Sequence, residues 1–387
     1  MSMKELRVAW LLSSAFYYWQ PSISEFSKLF PHSKVFTGRW VGFAKGYENS
    51  LDVEIVGERK VLRKASKKPG YGLSFTYLSP SIVSYLFRFK PDLIFSNAFG
   101  VWTILALLFK FIGNWQVIII YEGSAPGVDF LDSFLRLGIR RLMMRLADGA
   151  ISNSQAGMNY LTKVLEGKKE RVWYHPIEIP SSKTWTETLR DTQLSQLQLN
   201  NPVFLFVGRL LPRKGLHLLL EACHLLKTQG YKFSLLVVGD GEQRTELETY
   251  CREHGLEDCV YWMGFVAYEK LSAYFERADV FVLPTFEDTW GVAVLEAMLF
   301  GKPVFCSQGA GTAELIVDGE NGYVFEPMQT QQLAELMAKA IANPEQFSLM
   351  GEKSRQTMAQ YTPEAAASFL TQVVEAIVNK KKVTSNQ

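Results

Sequence analysis

Histidine and cysteine are scarce in this chain, five and four residues in 387. His32, His175, His217, His224 and His254 make no HExxH-like set, and no two aspartates stand two apart as a DxD motif requires, so no dedicated metal site is indicated. Cys223, Cys251, Cys259 and Cys306 show no CxxC pairing and need no bridges, which fits a reducing cytoplasm. Long hydrophobic runs are also missing. The most apolar stretch, residues 99–113 (FGVWTILALLFKFIG), is interrupted by Lys110 and falls short of the ~20 residues that span a bilayer, so it reads as a buried crossover helix. At the N-terminus, Lys4 and Arg7 precede VAWLLSSAFYYW, but Glu5 and the lack of a small-residue cleavage site argue against an export signal and for a first strand. The turn GDGEQR carries Arg244 where a dinucleotide fingerprint needs glycine, which weakens a dehydrogenase reading.

What is present suits a globular α/β protein of about two domains: 387 residues, of which 48% are hydrophobic. The net charge of +2 hides an asymmetry. Residues 1–180 hold 23 Lys plus Arg against 14 Asp plus Glu, or +9, and residues 181–387 hold 18 against 25, or −7. Six cations crowd residues 59–68, and Arg136, Arg140, Arg141 and Arg145 punctuate FLRLGIRRLMMRL. Such runs are either solvated faces or attractors of an anionic lipid surface or a phosphorylated acceptor. No nucleic-acid-binding motif accompanies them, so nucleic acid is not an expected partner.

Short apolar runs at 8–12, 92–96, 117–121 and 150–152 alternate with helix-length stretches, and a second series follows: VFLFVG, FSLLVVG, VYWMG, DVFVLPT and PVFCS. This order predicts two Rossmann-like domains. The boundaries are an N-terminal, acceptor-side domain over 1–180, a polar linker over 181–200 after Pro176 and Pro180, and a second domain over 201–360. A helix over 361–387 is expected to pack back on the first domain. Ligands of open α/β sheets bind outside the carboxyl ends of the strands, and in the second domain five such ends carry unusual residues, so they should converge on one cleft.

Two carboxylates stand out there. Glu296 is the only polar residue within 292–300, on the same helical face as Val292, Leu295 and Leu299; buried there, it needs either a salt bridge or a hydroxyl-rich ligand. Asp288, just before that helix, is either a cap for its first amides, a ligand contact, or both. Lys214 precedes a helix expected from Gly215, whose amino end is already positive; an anion such as a diphosphate between Arg209 and Lys214 would relieve that conflict.

From Val203 to Pro327 the elements VGRLLPRKGLHLLLEA, LLVVGDGEQRTELE, VYWMGFV, ADVFVLPTFEDTWGVAVLEAMLFGKPVF and GTAELIVDGENGYVFEP resemble, in order and spacing, the retaining glycosyltransferases of family 4. The resemblance implies a GT-B fold, two Rossmann-like domains facing across a cleft, and a nucleotide sugar held mainly by the second. It implies catalytic roles for Arg209 and Lys214 on the diphosphate, with Glu296 on the ribose hydroxyls. Asp288 would face the donor sugar in place of the family's usual glutamate. Gly291, Val292 and Ala293 would meet the phosphates, with Gly239 and Val266 also lining the donor. Two features of the first domain depart from the family. The turn after the first strand is Ser13, Ser14, Ala15 and Phe16 rather than glycine-rich, and Glu122 in EGSAPG stands where a histidine often contacts the sugar. Glu122 is therefore either a catalytic-site contact to a sugar hydroxyl or acceptor, or a loop residue.

The function this implies is transfer of a sugar from a nucleotide sugar to a glycan, lipid or other hydroxyl acceptor with retention of configuration. No cofactor or metal is expected, and the location is cytoplasmic, with peripheral contact to an anionic inner-membrane surface through the basic N-terminal domain. A non-catalytic sugar-nucleotide-binding protein and a sugar-nucleotide epimerase of the same fold are the alternatives.

Overall fold

The computed structural model describes residues 3–63, 71, 74–185 and 192–385. The chain divides into two compact units: Met1–Ser66 with Gly72–Ser181 and Tyr361–Gln387, and Ser182–Gln360 with Lys67–Tyr71.

In the first unit, seven strands form a parallel sheet: β1 (Val8–Leu12), β2 (Ser33–Thr37), β3 (Val53–Ile55), β6 (Leu93–Asn97), β7 (Gln116–Tyr121), β8 (Gly149–Ser152) and β9 (Val172–Tyr174), in the order β3-β2-β1-β6-β7-β8-β9. A separate antiparallel pair is made by β4 (Lys60–Arg63) and β5 (Ser74–Tyr77). Every residue of β1 is buried, as expected of a strand covered on both faces. Alternate side chains feed two cores. Trp10 and Leu12 join Phe95, Ile118 and Ile120 on one face, while Ala9 and Leu11 join Ile94, Val117 and Ile119 on the other. The first face is covered by α1 (Gln20–Leu29) together with the C-terminal helix, Pro363–Ser385, whose Leu370, Val373, Val374 and Ile377 lie in that core.

The apolar stretch 99–113 departs from the expected buried crossover helix. It breaks at Phe109 into α2 (Val101–Leu108) and α3 (Lys110–Gly113). One side, with Trp102, Thr103, Ala106 and Leu107, is buried. Leu108, Phe111 and Ile112 are 64%, 78% and 74% exposed. The cause is Lys110, whose ammonium turns inward to Asp148 at 2.7 Å and to the Leu146 carbonyl at 2.9 Å, sending its neighbours outward. The following basic segment forms α4 (Phe134–Leu146). No helix of the described residues is long and apolar enough to cross a membrane.

The second unit is a six-stranded parallel sheet of β10 (Val203–Val207), β11 (Ser234–Val238), β12 (Val260–Gly264), β13 (Val280–Leu283), β14 (Val304–Ser307) and β15 (Gly322–Phe325). Its order, β12-β11-β10-β13-β14-β15, reverses direction between β10 and β13, where Phe204 pairs with Val280 and Leu205 with Phe281. Strand-end loops diverge at such a switch point and leave a crevice. On the faces lie α5 (Leu216–Thr228) and α6 (Val292–Leu299). The segment expected as a linker is partly built into this unit: Trp185 is buried against Tyr268 and Phe300, and its indole N–H donates to the Tyr268 carbonyl at 3.0 Å. Residues 186–191 lie outside the described residues.

Candidate functional site

The loops after β10 and β13 meet at the switch point and are stitched by bonds to backbone carbonyls. Phe286 N donates to the Arg213 carbonyl at 2.8 Å, Thr285 Oγ1 donates to the same oxygen at 2.8 Å, and Arg213 Nη1 donates to the Glu287 carbonyl at 2.9 Å. The result places Lys214, at the end of a short 3-10 turn before α5, with its ammonium on Asp288 Oδ2. Arg213 Nη1 stands 3.9 Å from the other carboxylate oxygen. Asp288 is buried. Burial, the largest influence, pushes its carboxyl up, but the charges of Lys214 and Arg213 together with bonds from Lys214 and the Trp290 N–H hold it below its ordinary value.

This arrangement changes two expectations. Asp288 is not the cap of α6: that position belongs to Gly291, and no side chain caps it. Its carboxylate instead takes the Trp290 amide within the loop. The awkward cation ahead of α5 is already answered by Asp288, and the second cation beside that carboxylate is Arg213, not Arg209, which sits exposed on the loop after β10. Arg213 adjoins Lys214 in RLLPRKG, but from the sequence alone neither Arg209 nor Arg213 is distinguished as the inward one.

Tyr71, which belongs to the second unit, is the residue that sequence reasoning missed. Its amide donates to Glu287 Oε2 at 2.9 Å, its hydroxyl accepts from Thr289 N at 3.3 Å and reaches Asp288 Oδ1 at 3.5 Å, and its ring lies under the Arg213 guanidinium at 4.2 Å. Burial first, then the charge of Asp288, pushes its hydroxyl up to about 12. More than 200 residues separate Tyr71 from Asp288, and no motif or periodicity links them.

Gly291 starts α6 with φ of 97°, a conformation that glycine alone adopts without strain, and a Cβ there would lie 3.0 Å from Thr312 Oγ1. With no side-chain cap, the amides of Val292 and Ala293 open the helix at its positive end. One turn further on, Glu296 is buried among Leu295, Ala297 and Met298. Burial pushes its carboxyl up to about 7, against a side-chain bond from Tyr268 that lowers it. The salt-bridge alternative fails: no cation among the described residues pairs with Glu296, and its partner is the Tyr268 hydroxyl.

Gly239 directly follows β11 with φ of 132°, and a Cβ there would stand 1.9 Å from the Gly208 carbonyl, so close packing of two strand-end loops already demands glycine. Val266 is half-buried beyond β12, next to Phe265, which is 82% exposed. Glu122 belongs to the first unit, directly after β7, and accepts a bond from Asn97 Nδ2 at the end of β6 at 2.7 Å. The same loop buries Asp129, on which the hydroxyls of Tyr121 and Ser124 converge. Burial outweighs those bonds and leaves the Asp129 carboxyl above its ordinary value. Among the described residues no group of three or more His, Cys, Asp or Glu could hold a metal ion.

The second unit thus places cations, an uncapped helix start and a buried carboxylate bonded to Tyr268 at the strand ends of one Rossmann-like sheet. Residues 190–363 match the family model of the glycosyl transferases group 1. This group 1 segment takes in Arg209, Lys214, Asp288 and Glu296 and leaves out Glu122. Among curated relatives, the amylovoran biosynthesis glycosyltransferase AmsK of Erwinia amylovora is 36% identical over 148 residues, 36% of this chain and 36% of that protein. The putative colanic acid biosynthesis glycosyltransferase WcaL of Salmonella typhimurium is 32% identical over 45% of this chain and 44% of its own. The sulfoquinovosyl transferase SQD2 of Arabidopsis thaliana is 26% identical over 75% of this chain and 58% of its own. The matches therefore span from about a third to somewhat over half of these relatives' length.

The fold likeness runs further. Anabaena HepE in complex with UDP superposes with a TM-score of 0.71 at 18% identity over 96% of this chain and 100% of that one. Sucrose-phosphate synthase from Thermosynechococcus elongatus gives 0.73 at 20% over 96% and 99%. The chain outside the group 1 segment shares their architecture, and the fold is GT-B.

Proposed function

We propose that this protein is a cytoplasmic, retaining glycosyltransferase that moves a sugar from a nucleotide sugar to a hydroxyl of a glycan or lipid-linked acceptor. The observation that carries this reading is the grouping, at the switch point of the group 1 segment, of Lys214 on Asp288 with the uncapped start of α6. An ammonium has three donors, so Lys214 can hold Asp288 and a phosphate oxygen together. Arg209 grips the same diphosphate, and the amides of Val292 and Ala293 supply further donors. Glu296 takes the ribose hydroxyls, Asp288 faces the donor sugar, and Gly239 and Val266 line the remainder of the nucleotide. In the first unit, Glu122, oriented by Asn97, receives a hydroxyl of the acceptor or of the donor sugar.

The chemistry is displacement at the anomeric carbon. As its bond to the β-phosphate oxygen breaks, Lys214, Arg209 and the helix amides neutralise the charge that develops there. The acceptor hydroxyl attacks from the same face and passes its proton to the departing phosphate oxygen, which accounts for retention without a protein base.

The test is nucleotide release by the purified protein from UDP-, GDP- and ADP-sugars, with and without acceptor extracts, starting from UDP-glucose. Turnover that depends on acceptor is expected. Epimer formed without acceptor identifies an epimerase instead, binding without transfer identifies a binding protein, and neither binding nor turnover across the panel refutes the site. Arg209→Ala should weaken nucleoside diphosphate binding about tenfold, the loss of one charge-assisted contact, as read by calorimetry. Full activity is expected to persist after treatment with EDTA; loss restored by a divalent cation would contradict a metal-free site.

A further inference from the structure

The four arginines of α4 do not act alike. Arg140 Nη1 donates to the Tyr160 hydroxyl at 2.7 Å and the Asp129 carbonyl at 3.1 Å, and Arg141 Nε donates to the Val164 carbonyl at 3.0 Å, so both fasten the helix inward. Arg136 and Arg145 are exposed. Between them the outward face is apolar: Phe134 is 95% exposed, Leu135 75%, Ile139 43% and Leu142 55%. Leu135, Ile139 and Leu142, spaced four and three residues apart, lie along one side of the helix, with Phe134 at its first position. The patch does not end with α4. Lys110 bonds the Leu146 carbonyl at the helix's last turn, which brings Phe111 and Ile112, both about three-quarters exposed, beside it. Scattered exposed leucines need no explanation, but six large apolar side chains exposed on one helix and on the segment bonded to its last turn mark a surface that something covers.

The surrounding charge selects the occupant. Residues 131–171 hold eight Lys plus Arg against four Asp plus Glu. Arg145 pairs with Glu166 at 3.3 Å, so the segment bearing the exposed Lys163, Lys168 and Lys169 lies along the same end of the helix. A second copy of the chain would set these cations against each other. An anionic bilayer answers both features, since its headgroups meet the arginines and lysines while its acyl boundary receives the apolar side chains. We propose that the outward face of α4, extended by Phe111 and Ile112, is the surface by which this protein docks on anionic phospholipid. The docking needs no spanning helix, and it stands independently of the transferase reaction.

The experiment is flotation of the full-length protein with phosphatidylcholine vesicles that contain or lack phosphatidylglycerol. The protein floats with the anionic vesicles at low salt, and less so as salt screens the cationic rim. Phe134→Ser with Leu135→Ser removes two nearly fully exposed apolar side chains and cuts the partition at least about tenfold. Arg136→Ser with Arg145→Ser abolishes the preference for phosphatidylglycerol. Both double variants keep the wild-type melting temperature and UDP affinity, because none of these residues belongs to the donor site. Equal flotation of the Phe134→Ser, Leu135→Ser variant and the wild type, or no flotation of the wild type, overturns the proposal. So does a concentration-dependent dimer in sedimentation that this variant loses, because the face then covers a second copy.

Discussion

Glu296→Gln is expected to make the nucleotide-free protein more stable at pH 8 while weakening its hold on a nucleoside diphosphate. Burial pushes the Glu296 carboxyl up from 4.5 to about 7. Between those values the folded chain binds the proton more readily than the unfolded one, so stability falls as pH rises through the window and stays low above it. At pH 8 the ionised carboxylate costs about 3 kcal/mol in the empty site, and a neutral amide escapes that cost. Urea denaturation at pH 8 should therefore favour the variant by about 1–3 kcal/mol, with the difference shrinking towards pH 4.5. Binding moves oppositely. In the role proposed for Glu296, hydroxyls of a ribose donate to the carboxylate, and each such charge-assisted bond is worth about 1.5–3 kcal/mol, so the variant should bind at least tenfold more weakly. The wild type should itself lose affinity as pH drops below about 7, where the carboxyl is protonated before ligand arrives. A variant that is destabilised at pH 8, or that binds as well as the wild type by calorimetry, would contradict the role assigned to Glu296.

Lys214→Ala should be the more damaging change. It leaves Asp288 buried with the Trp290 amide and the Tyr71 hydroxyl still on it, but with Arg213, at 3.9 Å, as the one cation beside it among the described residues. Removing one partner of a buried pair costs about 3–5 kcal/mol, because the other charge remains without water. Lys214→Ala with Asp288→Ala should recover most of that stability, since no orphaned charge survives, yet neither variant should bind a nucleoside diphosphate or turn over donor. The pH dependence has the opposite sign to that of Glu296. The Asp288 carboxyl is held below its ordinary value, so its contribution is complete above the unfolded carboxylate range and is lost as pH falls through the depressed value. The gap between wild type and Lys214→Ala should narrow in acid. A double variant as unstable as the single one would show that Lys214 supports the fold by packing rather than by its charge.

Much of the fold was legible because buried parallel strands leave short, unbroken apolar runs. The runs at 8–12 and 280–283 are β1 and β13 residue for residue, and 117–121 misses only Gln116 at the start of β7. The stretch 99–113 was misread because hydropathy averages over a helix that breaks at Phe109 and turns its one cation inward. The boundary expected over 181–200 contains the division between Ser181 and Ser182, but polar composition hides Trp185, a single aromatic that anchors the start of the segment on the second unit.

At the site, Glu296 was recognisable from a lone carboxylate in an apolar helix, a feature of one segment. Its partner Tyr268, the choice of Arg213 over Arg209 beside Asp288, and the contact of Tyr71 with that carboxylate were not, since each depends on loops from different strands meeting.

The sequence by itself determined two series of parallel strands and a set of strand-end residues with a common chemistry, because periodicity, burial and turn residues act over a few neighbours in the chain. Only the tertiary structure decided which cation neutralises Asp288, that Glu296 takes its bond from Tyr268, and that Arg140 and Arg141 fasten α4 inward while its other side stays exposed and apolar. Charge pairing and burial are set by distances of a few ångströms between residues tens to hundreds of positions apart, and no local pattern records them.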